Sequence, residues 1–265
     1  MSVNGLGEFA AKRQALKFGK RLVNNRLTWA AKRRFFGTVT HVETSDHVVA
    51  LTFDDGPHPD SAPRLLDILD RHRARATFFM VGRAAQRHPE LVQRIAQAGH
   101  AIGNHTWDHP SLPSISGRLR RRQIRACERA TAPYGQRLLR PPYGHQSIAS
   151  RLDALLLGYQ VIAWNLVAED WLDRDPVWMA DKLASEIKPG SVVCLHDAIY
   201  SDWPEDGAPH YDRQPMLEAV DLLLDRLGGS YRFVTIPELL RRGRPVRRYW
   251  MVEKSDDWKS LTYRW

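Results

Sequence analysis

The sequence predicts an α/β fold in which repeated βα units build a parallel sheet. Seven short apolar runs that are typical of strands alternate with helical patterns between residues 47 and 240. Apolar strands that alternate with helices favour a parallel sheet, either open or closed into a barrel. The 265 residues fit one large domain of this kind better than two small ones.

The predicted strands follow one another along most of the chain. They are HVVALTF (47–53), ATFFMV (76–81), HAIGNH (100–105), RLLRPPY (137–143), YQVIAWN (159–165), SVVCLH (191–196) and YRFVTI (231–236). Apolar periodicity between them predicts helices over 62–72, 89–98, 118–132 and 215–227. Residues 200–214 break this rhythm with a long polar and aromatic loop, and loops of that length are usually functional or disordered.

The composition is that of a soluble protein from a reducing compartment. Hydrophobic residues make up 43% and charged residues 26%, and no run approaches the roughly 18 apolar residues of a membrane span. Cys127 and Cys194 allow one bridge at most and no disulfide framework. The first residues also lack a continuous apolar region of the secretory kind. We therefore expect a cytoplasmic protein.

The net charge of +9 is concentrated at the N-terminus. Residues 1–36 hold nine Lys or Arg against Glu8 alone, whereas the rest of the chain is almost balanced. We expect residues 1–46 to form a basic arm that is helical but has no clean apolar face. Its role stays open between a helix packed on the barrel, a peripheral contact with an anionic membrane, a cleaved organelle-targeting segment and a nucleic-acid contact, for which no other motif argues.

Residues 241–265 form a second basic segment. It holds five arginines between residues 241 and 248, followed by Trp250, Trp258 and Trp265. Three tryptophans are unusual in a disordered end, so we expect much of this tail to pack back on the barrel.

The first predicted strand ends in two adjacent carboxylates, Asp54 and Asp55, which open an Asp-Asp-Gly-Pro sequence. In closed parallel barrels, catalytic residues gather at the C-terminal ends of the strands. Successive side chains point in different directions, so one carboxylate can bind a metal while the other faces a substrate. A surface turn is the structural alternative, because the same four residues are good turn formers.

Two histidines follow the third strand. His105 and His109 lie four residues apart, a spacing that places both imidazoles on one side of a helical turn. Two histidines and one carboxylate leave positions open for water, which is typical of a catalytic metal site. Asp108 is a competing ligand by position, although an exposed side chain is the simpler expectation.

Three later strands add groups of complementary chemistry. The fourth ends in RPPY (140–143), in which an arginine can orient a carboxylate. The fifth leads to DW (170–171) and the sixth to LHD (195–197). Together they supply a third histidine, a carboxylate that can hold it and an aromatic wall.

In this order, TFDDGP, HTWDH, RPPY, DW and LHD resemble the motifs of the polysaccharide deacetylases, the NodB-homology domain of family 4 carbohydrate esterases. The resemblance covers roughly residues 48–240. It implies a distorted (β/α) barrel of about seven parallel strands over residues 47–240, which agrees with the strand count. It also implies metal-dependent hydrolysis of the acetamide of an N-acetylated sugar, with release of acetate and a free amine.

The resemblance further implies a role for each residue at the strand ends. Asp55, His105 and His109 would bind one divalent metal ion, usually zinc in this family. Asp54 would be the general base, and Arg140 would pair with it. The backbone N–H of Tyr143 would donate to the oxyanion. His196 would be the general acid, tuned by Asp170.

The resemblance also indicates the substrate contacts. Trp171 would line the groove, and Cys194 would border the pocket for the acetyl methyl group beside Leu195. Trp107, Trp203 and Tyr211 are candidates for stacking on sugar rings, although a tryptophan is as often part of a core.

Two positions depart from the family pattern. Val167 stands where a second acid often precedes Asp170, and Cys194 stands where leucine is common. Neither change removes a proposed ligand, acid or base, so both bear on substrate preference.

Three other activities stay open at this point. They are O-deacetylation of an acetylated polysaccharide, hydrolysis of an amide or imide in a small non-sugar metabolite, and glycan binding without catalysis. The metal triad argues against the second, and the complete set of acid, base and ligands argues against the third. The expected substrate is a soluble or lipid-linked N-acetylated saccharide, because a cytoplasmic enzyme does not meet mature wall polymers.

Overall fold

A computed structural model of the chain describes residues 37–199 and 212–250. Its strands are β1 (Thr38–Glu43), β2 (Val48–Asp54), β3 (Ala76–Met80), β4 (Ala101–Asn104), β5 (Gly135–Leu139), β6 (Gln160–Val161), β7 (Leu166–Val167), β8 (Val192–His196), β9 (Arg232–Phe233) and β10 (Arg244–Arg248). A curled parallel sheet has the order β6-β5-β4-β3-β2-β8-β7, with β9 paired to the start of β2. The predicted α/β fold and distorted barrel are thereby confirmed.

β2 shows how the strands position the site. Leu51 and Phe53 are fully buried against the surrounding helices. Ala50 and Asp54, an even number of residues apart, face the barrel interior, because side chains alternate along a strand. In the parallel register with β8, Asp54 lies opposite His196. The central strand therefore carries its last carboxylate into the interior.

The helices form the outer layer of the fold. They are α1 (Ala62–Arg71), α2 (Gly82–Arg87), α3 (Pro89–Gln97), α4 (Gly117–Ala130), α5 (Ile148–Leu156), α6 (Pro176–Glu186), α7 (Gln214–Leu227) and α8 (Ile236–Leu240). The four predicted helices correspond to α1, α3, α4 and α7. No helix in the described ranges has the length and apolar character needed to cross a bilayer.

Apolar periodicity did not predict helices α5 and α6, but each begins at a residue that caps its N-terminus. The side chain of Asp175 accepts a hydrogen bond from the backbone N–H of Trp178 at the start of α6. Ser147 and Ser150 form a reciprocal capping box at the start of α5. Such caps satisfy N–H groups that the first turn of a helix leaves without an internal partner.

Two predicted strands are much shorter than expected. The run 159–165 contributes only β6, because the chain leaves the ladder before Asn165, whose side-chain oxygen accepts the N–H of Val192 at 2.7 Å. β7 then adds two residues beyond that run. The run 231–236 contributes only β9, because Thr235 and Glu238 form a capping box that starts α8.

A small antiparallel sheet of β1 and β10 was not predicted. The expectation of a helical arm over 1–46 is wrong for residues 38–43, where Val39 and Val42 are buried and pair with β10. Residues 1–36 lie outside the described part of the chain.

The tail packs on the barrel as far as the structure describes it. The indole of Trp250 is buried, meets the ring of Trp164 edge to face at 5.3 Å and donates a hydrogen bond to the carbonyl of Gly144. Residues 251–265, with the other two tail tryptophans, lie outside the described residues.

Candidate active site

The chain turns sharply after β2. Asp55 has a φ of 75°, in the left-handed region that aspartate tolerates better than most residues. Gly56 follows, and a Cβ there would lie 2.0 Å from a carboxylate oxygen of Asp197, so only glycine fits. The Asp197 carboxylate also accepts the N–H of Gly56 at 3.0 Å. This turn directs Asp54 and Asp55 to different partners, as expected for adjacent carboxylates.

Asp197 is a structural residue of the site that sequence reasoning did not single out. It is almost fully buried, and its backbone carbonyl accepts the hydroxyl of Ser61. Burial and the nearby Asp55 carboxylate raise the pKa of Asp197 to about 7. Its signal in the sequence was its place directly after the histidine of the LHD motif.

The predicted helical turn between His105 and His109 is wrong. Thr106 and His109 have φ values of 69° and 58°, so the segment is a left-handed bend. Its backbone is held by side chains, because Asn104 accepts the N–H of Thr106 at 2.9 Å and Gln123 of α4 accepts that of Trp107 at 2.9 Å. Hydrogen bonds from outside the segment replace those of a helical turn.

Despite the different backbone, the structure brings the three predicted metal ligands together. The Nε2 atoms of His105 and His109 lie 3.3 and 3.2 Å from the same oxygen of Asp55. All three side chains are buried, and their ligand atoms lie within 4.8 Å of one another. Two imidazole nitrogens and one carboxylate oxygen match the donor set of an open catalytic zinc site.

The protonation of the histidines fits metal binding. The Nδ1 atom of His105 donates to the carbonyl of Arg140 at 2.8 Å, and Nε2 is the ring atom that lies beside Asp55. Burial lowers the pKa of His109 to about 3 against the opposing effect of the Asp55 carboxylate, so its imidazole is neutral near pH 7. Each ring therefore presents its Nε2 atom to the same carboxylate oxygen, and that of His109 is neutral.

A second group with metal-ligating atoms consists of Asp54, Cys194 and His196. Burial raises the pKa of the Cys194 thiol well above its ordinary value, with a further contribution from Asp54. One oxygen of Asp54 is already held by Arg140. A protonated thiol is a poor metal ligand, so this group fits a cation less well than Asp55 and the two histidines.

Arg140 anchors Asp54. Its guanidinium is fully buried and donates to Asp54 Oδ1 and to the hydroxyl of Thr52, both at 2.7 Å. It also donates to the carbonyl of Ala163 at 3.0 Å and lies over the ring of Phe79 at 4.2 Å. The other oxygen of Asp54 lies 3.9 Å from His105 Nε2, beside the candidate metal ligands.

His196 and Asp170 form the second charged pair of the site. The Asp170 carboxylate accepts the backbone N–H of His196 at 2.8 Å and lies 3.1 Å from its Nδ1. Burial alone disfavours the imidazolium, but Asp170 outweighs it with help from Asp55 and Asp54, and the pKa of His196 rises to about 9. The histidine is therefore charged at neutral pH.

Arg213 is a third charged residue that contacts this pair, and its role was not predicted from the sequence. It is buried, contacts the Asp170 carboxylate, and donates to the carbonyl oxygens of Asp170 and His196, both at 2.8 Å. It is the N-cap residue of α7, where the helix dipole disfavours a cation. An arginine at the start of a helix is unfavourable there, and this was the one sign in the sequence that Arg213 contacts a group outside the helix.

The aromatic residues lie on two sides of these groups. The ring of Tyr143 meets that of His109 edge to face at 4.5 Å, and its backbone has a φ of 58°. Trp171 meets His196 edge to face at 5.3 Å. The oxyanion role of the Tyr143 N–H and the groove-lining role of Trp171 stay predictions.

The other residues that were predicted to contact the substrate lie in several different environments. Leu195 is a correction, because it is fully buried between the sheet and the helices, whereas its neighbour Cys194 faces the interior. Cys194 lies 3.6 Å from Asp54, and its acetyl-pocket role stays a prediction. Trp107 lines a cleft beside α4 with Arg122 and Arg129. Trp203 and Tyr211 lie outside the described residues.

Comparison with known proteins identifies similar chains. The sequence profile of the family described as polysaccharide deacetylase matches residues 41–162. A peptidoglycan-N-acetylglucosamine deacetylase of Bacillus cereus is 34% identical over 211 residues, which cover 77% of this chain and 94% of that protein. A chitooligosaccharide deacetylase of Sinorhizobium fredii is 34% identical over 172 residues, 63% of this chain and 80% of that protein.

Solved structures agree with these relatives. A crystal structure of a peptidoglycan N-acetylglucosamine deacetylase has a TM-score of 0.71 at 29% identity and covers 83% of this chain and 99% of its own. A family 4 carbohydrate esterase from Streptomyces lividans, solved with acetate, has a TM-score of 0.64 at 26% identity and covers 80% and 100%.

The two adjacent aspartates are expected to respond differently to the same substitution. Asp55→Asn removes a proposed ligand and should abolish stoichiometric metal, measured by mass spectrometry of the dialysed protein. Asp54→Asn should retain the metal and lose turnover by roughly a hundredfold or more, because it removes a base. Circular dichroism should show that both variants are folded. Equal metal loss in the two variants would contradict this division of roles.

Proposed function

The chain belongs to the polysaccharide deacetylase family, and we propose that its substrate is a saccharide that contains N-acetylglucosamine. As a member of this family it is a hydrolase that cleaves the linear amide bond of an N-acetyl group. The relatives reported above are named for peptidoglycan and for chitooligosaccharides, and N-acetylglucosamine is the unit that both contain.

One observation carries the proposal. Three groups of side chains meet in one place: the candidate metal ligands, the Asp54–Arg140 pair and the His196–Asp170 pair. They lie at the C-terminal ends of β2, β4, β5 and β8 and in the segment that follows β7. Atoms of Asp54 and His196 lie within 4.8 Å of one another. A base, an acid and a metal site therefore surround one small region, as amide hydrolysis requires.

Asp54 is the general base of the proposed reaction. It accepts a proton from the attacking water while Arg140 holds its other oxygen in place. The ligand set of Asp55, His105 and His109 fits zinc, which we propose as the metal. A bound divalent cation supplies Lewis-acid chemistry there, acidifying water and polarising the amide carbonyl.

His196 is the general acid. An amine leaves poorly unless it is protonated, so the imidazolium donates its proton to the nitrogen as the C–N bond breaks. Asp170 maintains the charged form and, with Arg213, fixes the orientation of the ring. The products are acetate and the free amine of the sugar.

A substrate panel tests the proposed function. The purified protein should release acetate and expose one amine per acetyl group from N-acetylglucosamine oligomers, and a metal-chelated sample should not. Acetylated xylan and lipid-linked N-acetylated sugars complete the panel. Acetate release from xylan alone, without any new amine, would show that the enzyme is an O-acetyl esterase.

The pH dependence tests the acid. The active form of His196 is protonated, so turnover should be present below the raised pKa and fall as the pH rises through about 9. Asp170→Asn removes the main group that raises this pKa and leaves burial, which lowers it. The alkaline limb should therefore move to lower pH in Asp170→Asn. An unchanged limb would exclude His196 as the group that titrates there.

We further propose a cytoplasmic location, with residues 1–36 able to contact anionic lipids and a soluble or lipid-linked saccharide as substrate. Cys127 and Cys194 are both free and buried, which suits a reducing compartment. Cell fractionation should recover the protein with cytosolic markers or with the cytoplasmic surface of the membrane. Recovery with extracytoplasmic markers would contradict this location.

A further inference from the structure

Helix α5 exposes an apolar stripe to solvent. Ile148, Leu152, Leu155 and Leu156 are 53%, 41%, 45% and 78% exposed, at a spacing that places them on one face of the helix. They are four of the ten large hydrophobic residues exposed in the described part of the chain, although α5 has only nine residues. Scattered surface leucines need no explanation, but a contiguous stripe indicates an interaction surface.

The stripe cannot turn inward. The buried side of α5 is held by Asp153, which forms ion pairs with Arg120 at 2.7 Å and Arg121 at 2.6 Å. Arg120 and Asp153 are both buried, and on another side of the helix Arg151 donates to the carbonyl of Gly37 at 3.1 Å. These contacts fix the rotation of α5, so its leucines remain directed outward.

A row of arginines accompanies the stripe. Arg118, Arg122, Arg125 and Arg129 lie on one exposed face of α4, the helix that packs beside α5. Within the ranges 37–199 and 212–250, no carboxylate lies at ion-pair distance from any of the four. The outward faces of the two neighbouring helices are therefore apolar on α5 and cationic on α4.

We propose that this α4–α5 face docks on an anionic lipid surface. Leucine and isoleucine side chains enter the boundary between headgroups and acyl chains, while guanidinium groups pair with lipid phosphates. The first 36 residues carry eight net positive charges and join the described structure at Gly37, directly beside α5. The charge of that segment adds to the attraction between the whole chain and anionic lipid.

One end of the α4–α5 face lies near the active-site edge. α5 starts five residues after Tyr143, so its first turn follows directly on the strand end that carries Tyr143 and Arg140. Ile148, the first residue of the stripe, is therefore the part of the face nearest to the active-site edge, whereas Leu155 and Leu156 end the helix farther from it. Docking itself needs neither substrate nor metal, so it stands or fails independently of the proposed function.

Co-sedimentation of the full chain with vesicles tests the proposal. The protein should bind phosphatidylcholine vesicles that contain phosphatidylglycerol, and bind pure phosphatidylcholine much more weakly. Leu155→Ser/Leu156→Ser should lower the partition coefficient by about tenfold or more, because it removes the apolar anchor. Arg118→Gln/Arg125→Gln should lower binding at low salt and reduce its salt dependence.

The matched control is Val177→Ser/Trp178→Ser on α6. These adjacent apolar residues are 46% and 41% exposed, against 45% and 78% for the leucine pair, and they lie on a helix that packs on α7. The control should bind vesicles like the unchanged protein. All three variants should retain deacetylase activity on a soluble oligomer, because none alters a residue of the site.

Three results would overturn the proposal. The leucine variant and the control could bind vesicles equally. The leucine variant could convert a dimer into a monomer in light scattering, which would mean that a second copy covers the face. It could also lower the melting temperature by several degrees with unchanged vesicle binding, which would mean that another part of the same chain covers α5.

Discussion

The site depends on one buried ion pair, between Arg140 and Asp54. Arg140 has no exposed surface, yet its guanidinium contacts groups from β2, from the segment after β6 and from the ring of Phe79 on β3. Burying such a charge is costly, and removing one partner of a buried pair typically costs about 3–5 kcal/mol. This cost holds one carboxylate oxygen in place, while the other faces the candidate metal ligands.

The same device recurs on the other side of the site. Arg213 holds Asp170 as Arg140 holds Asp54, and the proposed mechanism gives each aspartate a different proton-transfer task. Asp170 is the main group that raises the pKa of His196 against the effect of burial, whereas Asp54 is the base of the proposed mechanism. Several carboxylates lie close together in the barrel interior, and their mutual repulsion would destabilise the fold. The two buried arginines offset this repulsion.

Much of the fold and the site could be predicted because parallel strands gather their C-terminal residues at one edge. The apolar strands and the polar residues that follow them were visible in the sequence, and their order matched one family. The bend from His105 to His109 could not be predicted, because Asn104 and Gln123 impose it through tertiary hydrogen bonds. Arg213 lies 43 residues from Asp170 in the chain, so its role was equally hidden.

Leu195 and the β1–β10 sheet were missed for different reasons. Side chains alternate along β8, so Cys194 and His196 lie on one face and Leu195 faces the helices. The prediction treated the LHD motif as one unit and overlooked this alternation. β1 and β10 pair across some 200 residues, and the arginines of β10 resemble a solvated segment. Long-range pairing of polar strands leaves little trace in local periodicity.

X-ray absorption spectroscopy at the metal edge of the zinc-loaded protein tests the central claim most directly, because it identifies the ligand atoms without relying on activity. Ligation by Asp55, His105 and His109 predicts a first shell of nitrogen and oxygen only, at about 2.0–2.2 Å, with the outer-shell scattering of two imidazoles. A sulfur ligand at about 2.3 Å would place the metal with Cys194, Asp54 and His196 and would contradict the assignment of base and acid.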